Sequence, residues 1–155
     1  MRTDYLNDPT APRANSLKVA VSAFVQDKAG RILMIHRTDN NFFSLPGGGM
    51  EVGETVAGAV IREVAEETGI DVHPTDVIGI FSDPGHVIAY DDGEVRQEFS
   101  ICFAAEPIGG TARASSESKA VEWVAPDELG DLRIHPSMRQ RIDQCLQASG
   151  RTYFT

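Results

Sequence analysis

The chain has 155 residues, 41% hydrophobic and 24% charged, with 23 acidic side chains against 14 basic ones and a formal net charge of −9. Such a length and composition describe one globular domain able to bury a core, and no apolar run reaches the roughly 20 residues that a membrane-spanning helix needs. The acid excess argues against a nucleic-acid surface, which needs clustered Lys and Arg. It leaves phosphate substrates open, because carboxylates that hold a divalent cation become locally attractive to phosphate.

Residues 1–16 are polar and proline-containing, lack the apolar stretch of a secretory signal, and read as a loosely ordered arm. A cytoplasmic location is expected. One domain is expected over residues 17–150, with a short tail at 151–155 carrying Tyr153 and Phe154. Residues 17–26 (LKVAVSAFVQ) are β-branched and aromatic-rich and read as a strand. The turn DKAG at 27–30 joins them to a second apolar strand at 31–36, so the pair reads as a hairpin. A short apolar run at 42–45 stops at Pro46 and three glycines.

Residues 55–68 read as a helix, with Thr55 as N-cap, Val56, Val60 and Val64 at helical spacing, and Gly69 just past the end. Strands are expected at 77–81, 99–105 and 121–124, and a second helix at 136–148 that opens on Pro136. This order suggests a mixed β-sheet between helices, an α/β or α+β sandwich. Cys102 falls in a strand and Cys145 in the last helix without metal-type spacing, and both read as buried thiols.

Glu63, Glu66 and Glu67 stand at i, i+3 and i+4 of the first helix, within about a quadrant of its surface at roughly 100° per residue. Like charges at that spacing oppose helix formation. Clustered hard oxygen ligands favour Mg²⁺ or Mn²⁺ over zinc. A solvated acidic face is the commoner fate of such a run, but Leu45-Pro46-Gly47-Gly48-Gly49 precedes this one, and glycines let backbone approach a ligand closely.

Gly48, Glu54, Arg62-Glu63-Val64, Glu66-Glu67 and Gly69-Ile70 match all nine specified positions of the 23-residue Nudix box, and the chain resembles the Nudix (MutT-like) hydrolases. The resemblance implies a Nudix-like fold and metal-dependent hydrolysis of a nucleoside diphosphate linked to another moiety, such as ADP-ribose, an NDP-sugar or an NTP. It implies metal ligation by Glu63, Glu66, Glu67 and the carbonyl of Gly47. Arg62 would orient Glu63, and Glu54 would brace the loop. Glu66 or Glu63 would act as base, with Glu117 in a later Ser-rich loop as the alternative, although Glu117 also reads as an ordinary exposed acid.

Arg37, Phe43, Pro84 and His135 are candidate substrate contacts. Pro84 resembles the proline that follows the box in ADP-ribose pyrophosphatase-like members, yet Asp83-Pro84-Gly85 reads more readily as a simple turn between strands. Other readings are a nucleotide-sensing module without turnover, a diphosphate isomerase using Cys102, and an enzyme acting on RNA 5′ ends. The expected partner is a small nucleotide diphosphate, with no membrane, and a homodimer is possible within the family.

Overall fold

The computed structural model describes all 155 residues. In chain order the first elements are β1 (Arg2–Leu6), β2 (Ser16–Val25), β3 (Ile32–Arg37), β4 (Phe43–Ser44), β5 (Gly47–Gly49) and α1 (Val56–Thr68). Next come β6 (Ile70–Phe81), β7 (His86–Tyr90), β8 (Val95–Gly110), β9 (Ser118–Val124), a 3-10 turn over Pro126–Asp131, α2 (Pro136–Leu146) and β10 (Tyr153–Phe154). No helix is long and apolar enough to cross a membrane.

Two sheets result. In the seven-stranded one β2 lies parallel to β8 and antiparallel to β5, while β8 also pairs with β6 and β7. The other is the antiparallel trio β4-β3-β9. The expected hairpin of the second and third strands is therefore corrected: they meet only at the bridge Gln26–Ile32 and then enter different sheets. Burial explains the divergence. Ile32, Leu33, Met34 and Ile35 are all fully buried, Leu33 against α1 and the large sheet, Ile32 and Met34 against α2 and the 3-10 turn. A strand covered on both faces reads as an unbroken apolar run.

Helix α1 begins and ends where its chemistry dictates. The Thr55 hydroxyl accepts from the Gly58 N–H at 3.0 Å, and Gly69 terminates the helix with φ 77° while donating its N–H to the Ala65 carbonyl. Ala59, Val60 and Val64 pack into a core of Val21, Ala23, Val25, Ile70, Val72 and Phe103. The apolar face thus fixes the rotation of α1, and with it the direction of the glutamates beside that face.

The loose arm expected at 1–16 is also corrected, because Arg2–Leu6 pairs antiparallel with β7 along all five residues. A buried polar cluster holds it. Arg2 donates twice to Asp4 at 2.9 and 2.8 Å, and His86 and Asn40 each approach the same carboxylate at 3.4 Å. In the expected tail, Tyr153–Phe154 pairs with β6 and packs Tyr153 on Phe81, centroids 5.4 Å apart. Strands β6 and β8 run well beyond 77–81 and 99–105. Register shifts around Val72, Pro74 and Gly79 let β6 accommodate a proline without leaving the sheet. Cys102 and Cys145 are buried with their sulfurs 3.6 Å apart.

A Cβ on Gly69 would stand 2.3 Å from the Thr111 carbonyl, besides straining a left-handed backbone. Gly69→Ala should therefore cost about 2 kcal/mol or more in urea unfolding. Burial pushes the Asp4 carboxyl up, but hydrogen bonds from Arg2 and His86 outweigh it and hold the group well below the usual carboxylate range. A depressed folded pKa stabilises fully above the unfolded value of about 4 and loses that contribution as pH falls below it. Asp4→Asn should accordingly lower stability near neutrality and flatten the fall in Tm below about pH 4, read by calorimetry across pH.

Candidate active site

The carboxylates of α1 divide into three environments. Glu67 is 1% exposed, lies under β5, and accepts the Gly47 N–H on Oε1 at 2.8 Å. Its Oε2 is buried with no hydrogen-bond partner. Burial pushes its pKa up to about 8, against the pull of the Gly47 amide. Glu63 is also buried, and burial raises its pKa while Arg62 opposes the shift. Glu66 points outward, with a side chain 60% exposed.

Arg62 organises the group. Its guanidinium donates to both oxygens of Glu54, to Glu63 at 2.9 Å, to Glu66 at 3.2 Å and to the Gly49 carbonyl at 3.0 Å. Its hydrogen bond, together with one from the Glu51 N–H at 2.8 Å, keeps the Glu54 pKa down at about 2. The glycine loop is thereby tied to the helix at Gly47 through Glu67 and at Gly49 through Arg62. Gly48 lies between these ties, and a Cβ there would stand 2.6 Å from the Glu63 carboxyl. Only glycine lets the strand sit this close.

These residues fit a hard divalent cation. An orphaned, fully buried carboxylate oxygen is costly unless something binds it, and Glu63 and Glu117 both push the Glu67 pKa further up through their charge. Glu63 and Glu67 are thus mutually repelling hard oxygen donors beside the glycine loop, with the charge of Glu117 acting on both, a set suited to a hard divalent cation and unsuited to soft metals. No three of these side chains converge on a common point as they stand, and Arg62 holds two of the helix carboxylates.

Beside the loop opens a cavity of about 330 Å³ whose wall includes Gly47, Gly48, Glu63, Arg37, Phe42, Phe43, Glu117 and His135. Most of the residues singled out from the sequence therefore meet in one place. Arg37 ends β3 and is held in a bidentate pair with Asp39 at 2.9 and 2.7 Å. Phe43 stacks on His36 with centroids 4.3 Å apart, and Phe42 meets the edge of His135 at 5.5 Å. His135 caps α2 through Ser137, its Nε2 lies 3.1 Å from the Asp4 carbonyl, and burial lowers its pKa.

Pro84 does not join them. It is exposed in the β6–β7 turn, where the Asp83 carboxylate and carbonyl accept the N–H groups of Gly85 and His86, so the turn reading holds. Arg62, Glu66, Glu67 and Glu122 also lie outside the cavity wall. The sequence reading missed Arg2, Asp4, His86, Tyr90 and Arg141, which also line that wall. Arg2 and Asp4 do alternate with Thr3 and Tyr5, the period of a strand with one polar face, but five residues beside prolines make a faint signal.

The NUDIX domain model matches residues 16–145. The chain is 38% identical over 130 residues to the MutT-like protein of Streptomyces ambofaciens, covering 82% of this chain and 77% of that protein. It is 39% identical over 122 residues to the ADP-ribose pyrophosphatase of Methanocaldococcus jannaschii, covering 74% of this chain and 65% of that protein. The crystal structure of an ADP-ribose pyrophosphatase from Streptococcus suis shares the fold, with a TM-score of 0.70 at 24% identity over 89% of this chain and 98% of that one. With the box residues gathered on α1 and the glycine loop, the chain belongs to the NUDIX domain family of pyrophosphohydrolases.

Proposed function

We propose that this protein is a Mg²⁺-dependent hydrolase of the diphosphate linkage in a nucleoside diphosphate joined to another moiety, with ADP-ribose as the first substrate to test. The family uses divalent metals and acts on small nucleotide-derived substrates. The observation that carries the reading is the unpartnered Oε2 of Glu67, buried beneath the glycine loop whose Gly47, Gly48 and Gly49 line a cavity of nucleotide size. The similarity to a protein named as an ADP-ribose pyrophosphatase supports the choice of first substrate.

In this mechanism Glu63, Glu66 and Glu67 would hold the cation with the Gly47 carbonyl. When bound, it would supply neutralisation of the diphosphate charge and a lower pKa for nearby water. Gly47 and Arg62 keep the helix and the loop in register. Glu117 takes the proton of the attacking water. The sequence alone favoured Glu66 or Glu63, but Glu66 lies outside the cavity and Glu63 is engaged by Arg62. Glu117 lines the cavity without a side-chain partner. Its carboxylate accepts the water proton as the oxygen bonds to phosphorus, and the bridging P–O bond breaks with its electron pair leaving on the second phosphate.

Arg37, Phe43 and His135 are the proposed substrate contacts, with the aromatic ring facing the base or sugar. A diphosphate isomerase is disfavoured because Cys102, the only candidate thiol, is buried against Cys145 and absent from the cavity wall. A cytoplasmic location completes the proposal.

Product release measured with Mg²⁺ across ADP-ribose, NDP-sugars, dinucleoside polyphosphates and NTPs should give turnover that EDTA removes. Glu67→Gln should reduce kcat by at least about a hundredfold with little change in Tm, since the amide oxygen still accepts from the Gly47 N–H. Binding of nucleotide without turnover of any substrate would instead establish a sensing module. Glu117→Gln should lower kcat by about 10²–10⁴-fold with little change in KM. An equal loss confined to Glu63→Gln, with Glu117→Gln fully active, would move the base to the helix.

A further inference from the structure

We infer that Arg141 and the first turn of α2 form an anion subsite for a phosphate group other than the diphosphate under attack. This rests on the pyrophosphohydrolase reading above and concerns the opposite component of the same cavity. Arg141 is only 6% exposed, yet it takes part in none of the protein's ion pairs. Its Nε is buried with no hydrogen-bond partner, and its guanidinium carbon stands over the Phe81 ring, 4.9 Å from the centroid. The ring contact holds the guanidinium in place and spends none of its donors.

The neighbouring arginines in the cavity wall are all paired. Each of the other three guanidiniums in the cavity wall has its own carboxylate: Arg2 has Asp4, Arg37 has Asp39 and Arg96 has Glu94. Glu98 lines the cavity too, but its charge acts on Arg2 and Arg96. Arg141 alone lacks a counter-ion. A buried, unpaired charge is retained at a cost to stability, which is understandable where a ligand supplies the missing anion.

The surroundings suit that anion. Ser137 and Met138, in the first turn of the 11-residue helix α2, line the same cavity, so the positive end of the helix dipole adds to the guanidinium. Pro136 opens the helix without an N–H, and His135 engages the Ser137 N–H. Arg141 also borders a second cavity of about 400 Å³, but Asp83, Glu98 and Asp143 line that one, so the anion belongs to the first. A planar, fixed guanidinium presents paired donors to phosphate better than a flexible ammonium can.

Titration calorimetry without metal decides the matter, using inorganic phosphate, adenosine 5′-monophosphate and adenosine 2′,5′-bisphosphate with the wild type, Arg141→Met and Arg141→Lys. The expected result is bisphosphate binding about ten- to a hundredfold tighter than monophosphate, a preference lost in Arg141→Met and partly kept in Arg141→Lys. Binding of inorganic phosphate that depends on Arg141, without a bisphosphate preference, would support the subsite and assign it to the free ion. Phosphate affinities identical in all three proteins would overturn it. Arg141→Met should hold or raise Tm, whereas a marked fall with unchanged phosphate binding would assign Arg141 to packing. Turnover is scored separately: a wild type that hydrolyses nothing defeats the catalytic reading, while the binding data still decide the subsite.

Discussion

A single backbone amide, the N–H of Gly47, meets a carboxylate that has been taken almost wholly out of water. Around that contact the functional half of the protein is arranged. Glu67 can be buried because α1 is rotated by Ala59, Val60 and Val64 into the core, and because β5 is held against β2 directly above it. Burying a carboxylate with one of its oxygens unpartnered works against folding. The surrounding apolar packing must offset that, and the result is a carboxylate oxygen left with an unmet acceptor beneath the glycine loop.

Arg62 solves a related problem on the outer side of the helix. Three glutamates within two turns repel one another, and their repulsion would fray α1 or spread the side chains apart. One guanidinium contacts Glu54, Glu63, Glu66 and the Gly49 carbonyl together, so it joins the loop, the turn before the helix and the helix itself. Arginine suits this role because its fork serves several acceptors in one plane. Lysine would offer one compact charge and release at least part of the loop.

The helix and its box were legible in the sequence because their signals are local. Thr55, the three valines and Gly69 each act within a turn or two of their own position, and the glutamate spacing follows directly from helical geometry. The convergence of Arg37, Phe43, Glu117 and His135 was legible only as a set of candidates, since long-range pairing brings them together. Pairing also explains the errors. The β2–β3 hairpin was expected from a good turn, but the burial of β3 on both faces sends it to another sheet. Strand β1 was invisible because its partner is β7, more than eighty positions away, and because Asp4 reads as a surface acid until Arg2, His86 and Asn40 surround it. Arg141 gave no signal, because only the absence of a partner in the folded state distinguishes it.

The parallel pairing of β2 with β8 bears on how the chain reaches this state. Neighbouring groups at the end of that ladder, Val95 and Asn15, are 80 positions apart in sequence, so the large sheet closes only after a long loop has been drawn together. Helix α1 and its caps depend on nearby residues and can form much earlier. For that interval the glutamates stay hydrated and ionised without strain, and their dehydration waits for the slow, non-local step. The proposed divalent ion, binding the folded state alone, would then draw the equilibrium forward by mass action, so the metal content of a refolding buffer would bear on yield.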